Sequence, residues 1–432
     1  MIGILGGGLA GLTVAAHCKQ DCEVLEASDR VGGHCKSTIE QGYTFDEGPH
    51  IIFSKKKKTL DYMLSLLGDN IVQGRRNNKI YYKGEYIKYP FENGIGELEP
   101  QERFECLYGY LQRIELSTYP NFKEWLYGAY GSALTEKYLL PYNEKIWKCS
   151  AEEMGWAWAD ERLPRPNLQD ILKSACGLST EGYTHQLNFY YPKRGGIQAL
   201  VDAMVVHSTC PIQPNWPVAS VYKAEFDCRG KWAVLKNTPK EEDYRVYDKI
   251  VSTLPLNEMV EIFEGVPQEI KDAAKQLRFN SLITITLGIH RAAIYDSTPL
   301  TAVYVPDPNK IFHRLSFPQA FSKENGDTIQ AEITCNYGDA VWGESDARLA
   351  YAVFYDLIGM HLVKATDIGS YAKVQRLKYG YPVPTFTYRE NLKKVHTYFE
   401  EQGVLLCGRN AEFEYINMDQ CIEHGMAIAE QL

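Results

Sequence analysis

The chain opens on an apolar run, Met1–Leu5, and passes directly into Gly6-Gly7-Gly8-Leu9-Ala10-Gly11. No other stretch narrows the available folds as far. Gly6, Gly8 and Gly11 match the spacing G-x-G-x-x-G, and apolar residues then recur at helical spacing from Leu9 to Lys19. A second run, Glu23–Leu25, ends at Glu26, twenty residues after Gly6. Strand, glycine turn, helix, strand and acid make the phosphate-binding end of a Rossmann-like unit. Gly6 permits the tight turn, Gly8 lets a pyrophosphate reach the backbone, and Gly11 lets helix and strand pack closely. The free amides of the helix start, around Leu9 and Ala10, present partial positive charge to phosphates. Glu26 is placed to accept hydrogen bonds from ribose hydroxyls and to repel a 2′-phosphate. A plain glycine-rich turn accounts for the glycines alone, but not for the elements around them.

Glu26-Ala27-Ser28-Asp29-Arg30-Val31-Gly32-Gly33 follows, with His34 next. This segment resembles the second signature of FAD-binding oxidoreductases of the amine oxidase type. The resemblance implies FAD, with Ala27, Arg30, Gly32, Gly33 and His34 beside it and Val218 at its far end.

Composition sets outer bounds. The 432 residues suffice for two or three domains, and 45% hydrophobic with 23% charged is ordinary for a globular chain. A net charge of −9 speaks against nucleic-acid or anionic-membrane partners, so individual arginines become informative. Eleven cysteines without a C-x-x-C pair argue against a zinc site or disulfide scaffold, and for reduced thiols in the cytoplasm. With the first strand starting at Met1, no signal peptide is expected, and no run is long enough to span a membrane.

Gly42 to Ser54 reads GYTFDEGPHIIFS, an alternating strand followed by a turn at Gly48-Pro49-His50. Lys55–Lys58 reads as a solvated loop. Lys79 to Gly96 reads as a hairpin turning at Lys83-Gly84, followed by Tyr89-Pro90-Phe91-Glu92. Glu97 to Lys173 is helical in pattern and carries Asn121-Phe122, Trp125, Pro141-Tyr142-Asn143, Lys145, Trp147, Met154, Trp158 and Arg162. Alternating segments at Leu282–Leu287, Thr301–Val305, Ile311–Phe317 and Thr328–Thr334 suggest an antiparallel sheet. Val404–Arg409 reads as a strand, and Asn417-Met418-Asp419 opens a closing helix.

Taken together these segments resemble the UDP-galactopyranose mutases of eukaryotic type, within the amine oxidase and protoporphyrinogen oxidase-like superfamily. The resemblance implies an α/β fold: a Rossmann-like FAD domain (1–75, 190–260 and 396–432), a helical substrate domain (97–189) and an antiparallel sheet domain (76–96 and 261–395). It implies that Gly48, Pro49 and His50 face the flavin, with Gly408, Arg409, Asn417, Met418 and Asp419 on its other side. His50, Arg162 and Arg314 take the catalytic positions, the arginines gripping a diphosphate. Tyr89, Phe91, Glu92, Asn143, Trp147, Tyr304, Tyr381 and Tyr415 are implied to contact the substrate. Pro49, Glu92, Ala302 and Phe321 depart from the family pattern, which leaves sugar and base open; a carboxylate at Glu92 suits guanine's donors as well as uracil's.

Read on their own residues, several of these positions have simpler explanations. His50 reads equally as a structural histidine, Glu92 as an exposed loop acid, and Arg162 as a surface ion pair. The implied activity is pyranose–furanose interconversion of a nucleoside-diphosphate hexose, with N5 of reduced FAD as nucleophile, NAD(P)H as a candidate reductant and no net redox change. The alternatives are an FAD-dependent oxidase of the amine or protoporphyrinogen type, and a flavin-binding protein without catalysis. The partner is a nucleotide sugar, no resident metal is expected, and a homo-oligomer is compatible with the sequence.

Overall fold

Five parallel strands carry the nucleotide end of the molecule. In spatial order they are Val404–Leu406, Lys249–Ser252, Ile2–Leu5, Cys22–Leu25 and Ile212–Gln213. Ile2–Leu5 and Cys22–Leu25 are buried throughout, because helices cover one face and a three-stranded antiparallel sheet, Val218–Phe226, Arg229–Lys236 and Tyr244–Tyr247, packs on the other. The helix Leu9–His17 packs against Gln198–His207 and Met418–Gln431. Its crossing with the last helix is close: a Cβ on Gly425 would lie 2.7 Å from Thr13 Cβ and 3.0 Å from the Ala10 carbonyl oxygen. The computed structural model describes residues 1–163, 165–181, 187–226, 229–237, 243–289 and 299–432.

A seven-stranded sheet forms the second layer, in the order Ile368–Pro382, Phe279–Ile289, Thr328–Cys335, Arg314–Ser316, Ala302–Tyr304, Asn78–Tyr82, Glu85–Lys88. It is not wholly antiparallel as expected: Ala302–Tyr304 runs parallel to Asn78–Tyr82. That pairing joins strands more than two hundred residues apart, so no local turn dictates its direction. A helical layer closes the third side around fully buried Phe122, Trp125, Leu126 and Tyr130. Asn121 caps the helix Phe122–Tyr130 by accepting the Glu124 amide at 2.8 Å.

The structure corrects several local expectations. Lys57 and Lys58 open the helix Lys57–Leu67, whose buried Thr59, Met63 and Leu67 outweigh the charge run at its start. The expected strand Ile311–Phe317 shrinks to Arg314–Ser316. The hairpin ends in a helical turn, Phe91–Gly94, while its reversal at Lys83-Gly84 has positive φ at both residues, as a two-residue hairpin loop requires. Cys22 and Cys210 form a disulfide, against the expectation of reduced thiols. They lie beside one another at the ends of neighbouring strands, with Cα atoms 5.4 Å apart, a span a disulfide bridges. The other described cysteines are free, and Cys228 lies outside the described residues.

One carboxylate ties the layers together. Asp46 is 3% exposed and accepts from Ser37 Oγ at 2.6 Å, Ile197 N at 2.9 Å and Tyr191 Oη at 3.0 Å. Its own carbonyl accepts from Gln330 Nε2 of the large sheet at 2.7 Å. Burial pushes its pKa up to about 6, against the pull of those donors. Asp46→Ala strands these donors in the interior, so unfolding in urea should show a loss of about 2–4 kcal/mol.

Candidate functional site

The glycine motif does what its spacing implies. Gly6 has φ +101°, and a Cβ on Gly11 would lie 2.2 Å from the Gly6 carbonyl oxygen. The second signature closes directly on the first. Gly32 N donates to Gly7 O at 2.8 Å, and a Cβ on Gly33 would lie 3.1 Å from Gly8 Cα. Two bare backbones thus face each other at the start of the helix Leu9–His17, a cradle that side chains would fill. Buried Glu26 accepts from Gly7 N at 2.8 Å and Ser28 N at 2.9 Å, which fixes its carboxylate at the end of its strand. Ala27 and Arg30 are exposed beyond it, and Val218 opens the strand Val218–Phe226 nearby. Gly408, with φ +90°, packs against Ala10 and closes the cradle from the C-terminal side.

Below the cradle opens a cavity of about 370 Å³, within the range of small-ligand sites. It brings together residues from all three layers. Gly48, Pro49, His50 and His34 line it from the first layer, with Arg409, Tyr415 and Asn417–Asp419 from the C-terminal segment. Asn143, Trp147 and Arg162 come from the helical layer, and Tyr304, Arg314 and Tyr381 from the large sheet. Strand alternation explains the last group. Tyr304 pairs with Arg314 and Arg314 with Glu332, so all three face the cavity, while Val303, Leu315 and Ala331 point into the sheet's apolar core.

Both expected arginines are anchored from within. Arg162 Nη2 donates to Tyr415 O and to Gln420 Oε1 at 3.1 Å. Gln420 belongs to the capping box of Met418–Gln431, so Arg162 ties the helical layer to that helix start. Arg314 makes a two-pronged ion pair with Glu332, Nε to Oε1 and Nη2 to Oε2, the latter at 2.7 Å. Glu332 is 1% exposed and depends on this partner. Arg409 donates through Nε and Nη2 to Ile416 O at 2.8 and 2.6 Å, and its guanidinium lies over the rings of Tyr381 and Tyr415.

The histidines are uncharged. Burial, then Arg409 and His34, holds His50 down at about 3; burial, then Arg409, holds His34 at about 4. His50 Nδ1 and His34 Nε2 are enclosed without a hydrogen-bond partner. Polar atoms in this condition imply a ligand edge against them. The bare-glycine cradle above and these ring nitrogens below fit an extended dinucleotide with a polar ring at one end.

Not every expected contact reaches the cavity. Tyr89 stands one layer back, stacked on Tyr304 with centroids 4.6 Å apart. Phe91 and Glu92 are 1% and 3% exposed and lie in the core of the helical layer, where Phe91 stacks on Tyr138. Glu92 is therefore neither an exposed loop acid nor on the cavity wall. Arg76 and Glu332 line the cavity and were not singled out in the sequence, while Phe53, Tyr142 and Trp158 were named only as parts of motifs. Arg76 had a signal available, since it opens the strand-hairpin segment, and Glu332 had its position opposite Arg314 in an alternating strand. Among the described residues no group of histidine, cysteine or acidic side chains is arranged to hold a metal ion.

A family model of flavin containing amine oxidoreductases matches residues 9–432. The chain belongs to this family. Its cofactor is FAD, and the cradle and enclosed histidines above are the residues that fit it. Among solved structures, the chain is similar to a reduced UDP-galactopyranose mutase, with 21% identity, TM-score 0.89 and coverage of 100% of this chain and 93% of that one. It is also similar to a protein assigned as a protoporphyrinogen oxidase from Exiguobacterium sp. 255-15, at 19% identity, TM-score 0.77 and coverage of 100% and 98%. A putrescine oxidase with a redesigned cofactor site follows at 16% identity and TM-score 0.67, with coverage of 100% and 98%. At these identities the likeness concerns the fold.

Two measurements test the electrostatics of the site. Arg314→Ala leaves Glu332 buried and unpaired, so it should cost about 3–5 kcal/mol in urea unfolding, and adding Glu332→Gln should restore much of it. His34 and His50 stay neutral when folded but take up protons near pH 6.5 when unfolded. Stability therefore falls as pH drops from 6.5 toward 4, while Asp46, raised to about 6, works in the opposite direction between about 4 and 6. His50→Asn should remove one proton from this slope, about 1.4 kcal/mol per pH unit, in unfolding curves recorded between pH 4.5 and 6.5.

Proposed function

We propose that the protein is a flavin-dependent nucleotide-sugar mutase, which interconverts pyranose and furanose forms of a nucleoside-diphosphate hexose of the UDP-galactose kind without net redox change. The observation that carries this reading is the convergence of Arg162 and Arg314, from the helical layer and the sheet, on the one cavity that also holds the cofactor loop Gly48–His50. The chemistry supplied by bound, reduced FAD is nucleophilic displacement at the sugar's anomeric carbon.

The chain's own residues hold the leaving diphosphate. Guanidinium forks match phosphate oxygens, and the Glu332 carboxylate fixes the plane of Arg314 while Nη1 remains for phosphate. Burial, and next Tyr415, pushes Tyr381 up to about 12, so its hydroxyl stays a donor across the working pH range. The hydroxyls of Tyr304 and Tyr415 add to it. Neutral His50 presents one ring N–H and one lone pair, so it can hydrogen-bond the cofactor's edge without adding charge. Closing the cavity with Tyr142, Trp147 and Trp158 keeps water from the displaced sugar.

The same wall disfavours the amine oxidase reading. An amine enters such a site as a cation, yet Arg76, Arg162, Arg314 and Arg409 line the cavity against the carboxylates of Glu332 and Asp419. Arg409 already occupies the faces of Tyr381 and Tyr415, centroid distances 5.5 and 5.8 Å, where a cationic substrate would stack.

The deciding experiment incubates dithionite-reduced protein with UDP-, GDP- and dTDP-hexoses and resolves the products by anion-exchange chromatography. Furanose product that depends on reduction is expected. Equal turnover with oxidised flavin, or oxidised sugar in place of an isomer, would overturn the reading. Arg162→Ala should retain FAD and lose nucleotide-sugar affinity about a hundredfold, equivalent to one or two charge-assisted bonds; unchanged affinity would favour a flavin-binding protein without this catalysis.

A further inference from the structure

The cavity wall changes character in steps along the sheet. Its first row is Tyr304, Arg314 and Glu332, which are charged or hydroxylated. Two residues further along the same strands, about 7 Å away, the next row is Ala302 and Ser316, which are small and uncharged. This second row lies beside the cofactor loop, because Gln330, the partner of Ser316, donates to the Asp46 carbonyl at 2.7 Å. Beyond it, among the described residues, the wall is apolar. Phe189 and Phe321 meet edge to face with centroids 5.8 Å apart, and Ile51 packs on the same cluster. All three line the cavity. Thr301, at the border, has its hydroxyl engaged, donating to Asn78 Oδ1 at 2.6 Å and accepting from Asn77 N at 2.9 Å. Arg76 lies 5.4 Å from the Phe53 ring centroid, a cation–π contact on the edge of this wall.

We propose that this apolar end is the subsite for C6 of the sugar, and that it takes a methyl group: the substrate class is a nucleoside-diphosphate 6-deoxyhexose. The inference rests on the mutase reading above. A sugar whose diphosphate is held by the first row is fixed at its anomeric end. Its ring then crosses the small second row next to the loop Gly48–His50. Its far end, the C5–C6 bond, reaches Phe321 and Ile51, which fully buried Phe189 backs from behind. A hydroxymethyl there would bury a hydroxyl against rings that offer it no partner, whereas a methyl gains contact. The geometry limits the preference to a moderate one, since an apolar pocket rejects an added hydroxyl by about a hundredfold at most.

The test is binding, read from the fluorescence of the protein's flavin, with sugar pairs that differ only at C6: UDP-D-galactose with UDP-D-fucose, and GDP-L-galactose with GDP-L-fucose. Free UDP and GDP serve as references. In at least one pair the 6-deoxy sugar should bind about tenfold or more tightly than its partner. Phe321→Tyr, which adds a hydroxyl to the wall, should shrink that ratio. Equal or tighter binding of the galactose member in both pairs overturns the subsite, as does a Phe321→Tyr variant that leaves the ratio unchanged. Failure of all the nucleotides to bind the wild-type protein would instead remove the mutase reading, and this subsite with it.

Discussion

The position of the cofactor loop depends on one buried carboxylate. Asp46 binds the Ser37 hydroxyl, the Tyr191 hydroxyl and the amide that opens the segment Ile197–His207, while its carbonyl takes a hydrogen bond from the large sheet. The loop Glu47–His50 begins at the next residue. First layer, return segment and sheet are therefore pinned at a single point, and the wall that carries His50 is as rigid as that point. A charge so deeply placed is tolerated because three donors converge on it, and even so burial raises its pKa.

The cavity follows the same logic of internal pairing. Arg314, Arg162 and Arg409 are not long free side chains waiting for an anion. Each is held by a carboxylate, a carbonyl or an amide oxygen, which fixes its direction and lowers the entropy lost on binding. Burial, and next Arg409, holds both histidines neutral, and Arg314 adds to this at His50. Guanidiniums along the wall and neutral imidazoles suit the anionic leaving group of the proposed reaction, and an amine-oxidising site would not require them.

How much of this was legible in the sequence differs from element to element. The glycine cradle was, because G-x-G-x-x-G and Gly32-Gly33 act locally, through backbone conformations that few other residues adopt. The cavity-facing Arg162, Arg314, Tyr304, Tyr381 and Tyr415 were recognised through their motifs. Glu332 was missed because its importance comes from register: it faces Arg314 across two strands, and one slip in pairing would turn it to the other side. Phe91 and Glu92 were misplaced for a related reason. Their motif sits beside the cavity in the chain, but the helical turn Phe91–Gly94 rolls both side chains into the core. The parallel pairing of Ala302–Tyr304 with Asn78–Tyr82 carries no local signal at all.

By itself the sequence determined the Rossmann-like beginning, the flavin and the alternation of sheet and helix, since these rest on short-range rules of glycine conformation and apolar period. Only the tertiary structure decided which arginines share a wall, which carboxylate pairs with Arg314, and that charge gives way to small and then apolar residues along the sheet. Those facts depend on contacts between strands and layers far apart in the chain, where packing and burial, not local preference, choose the partner.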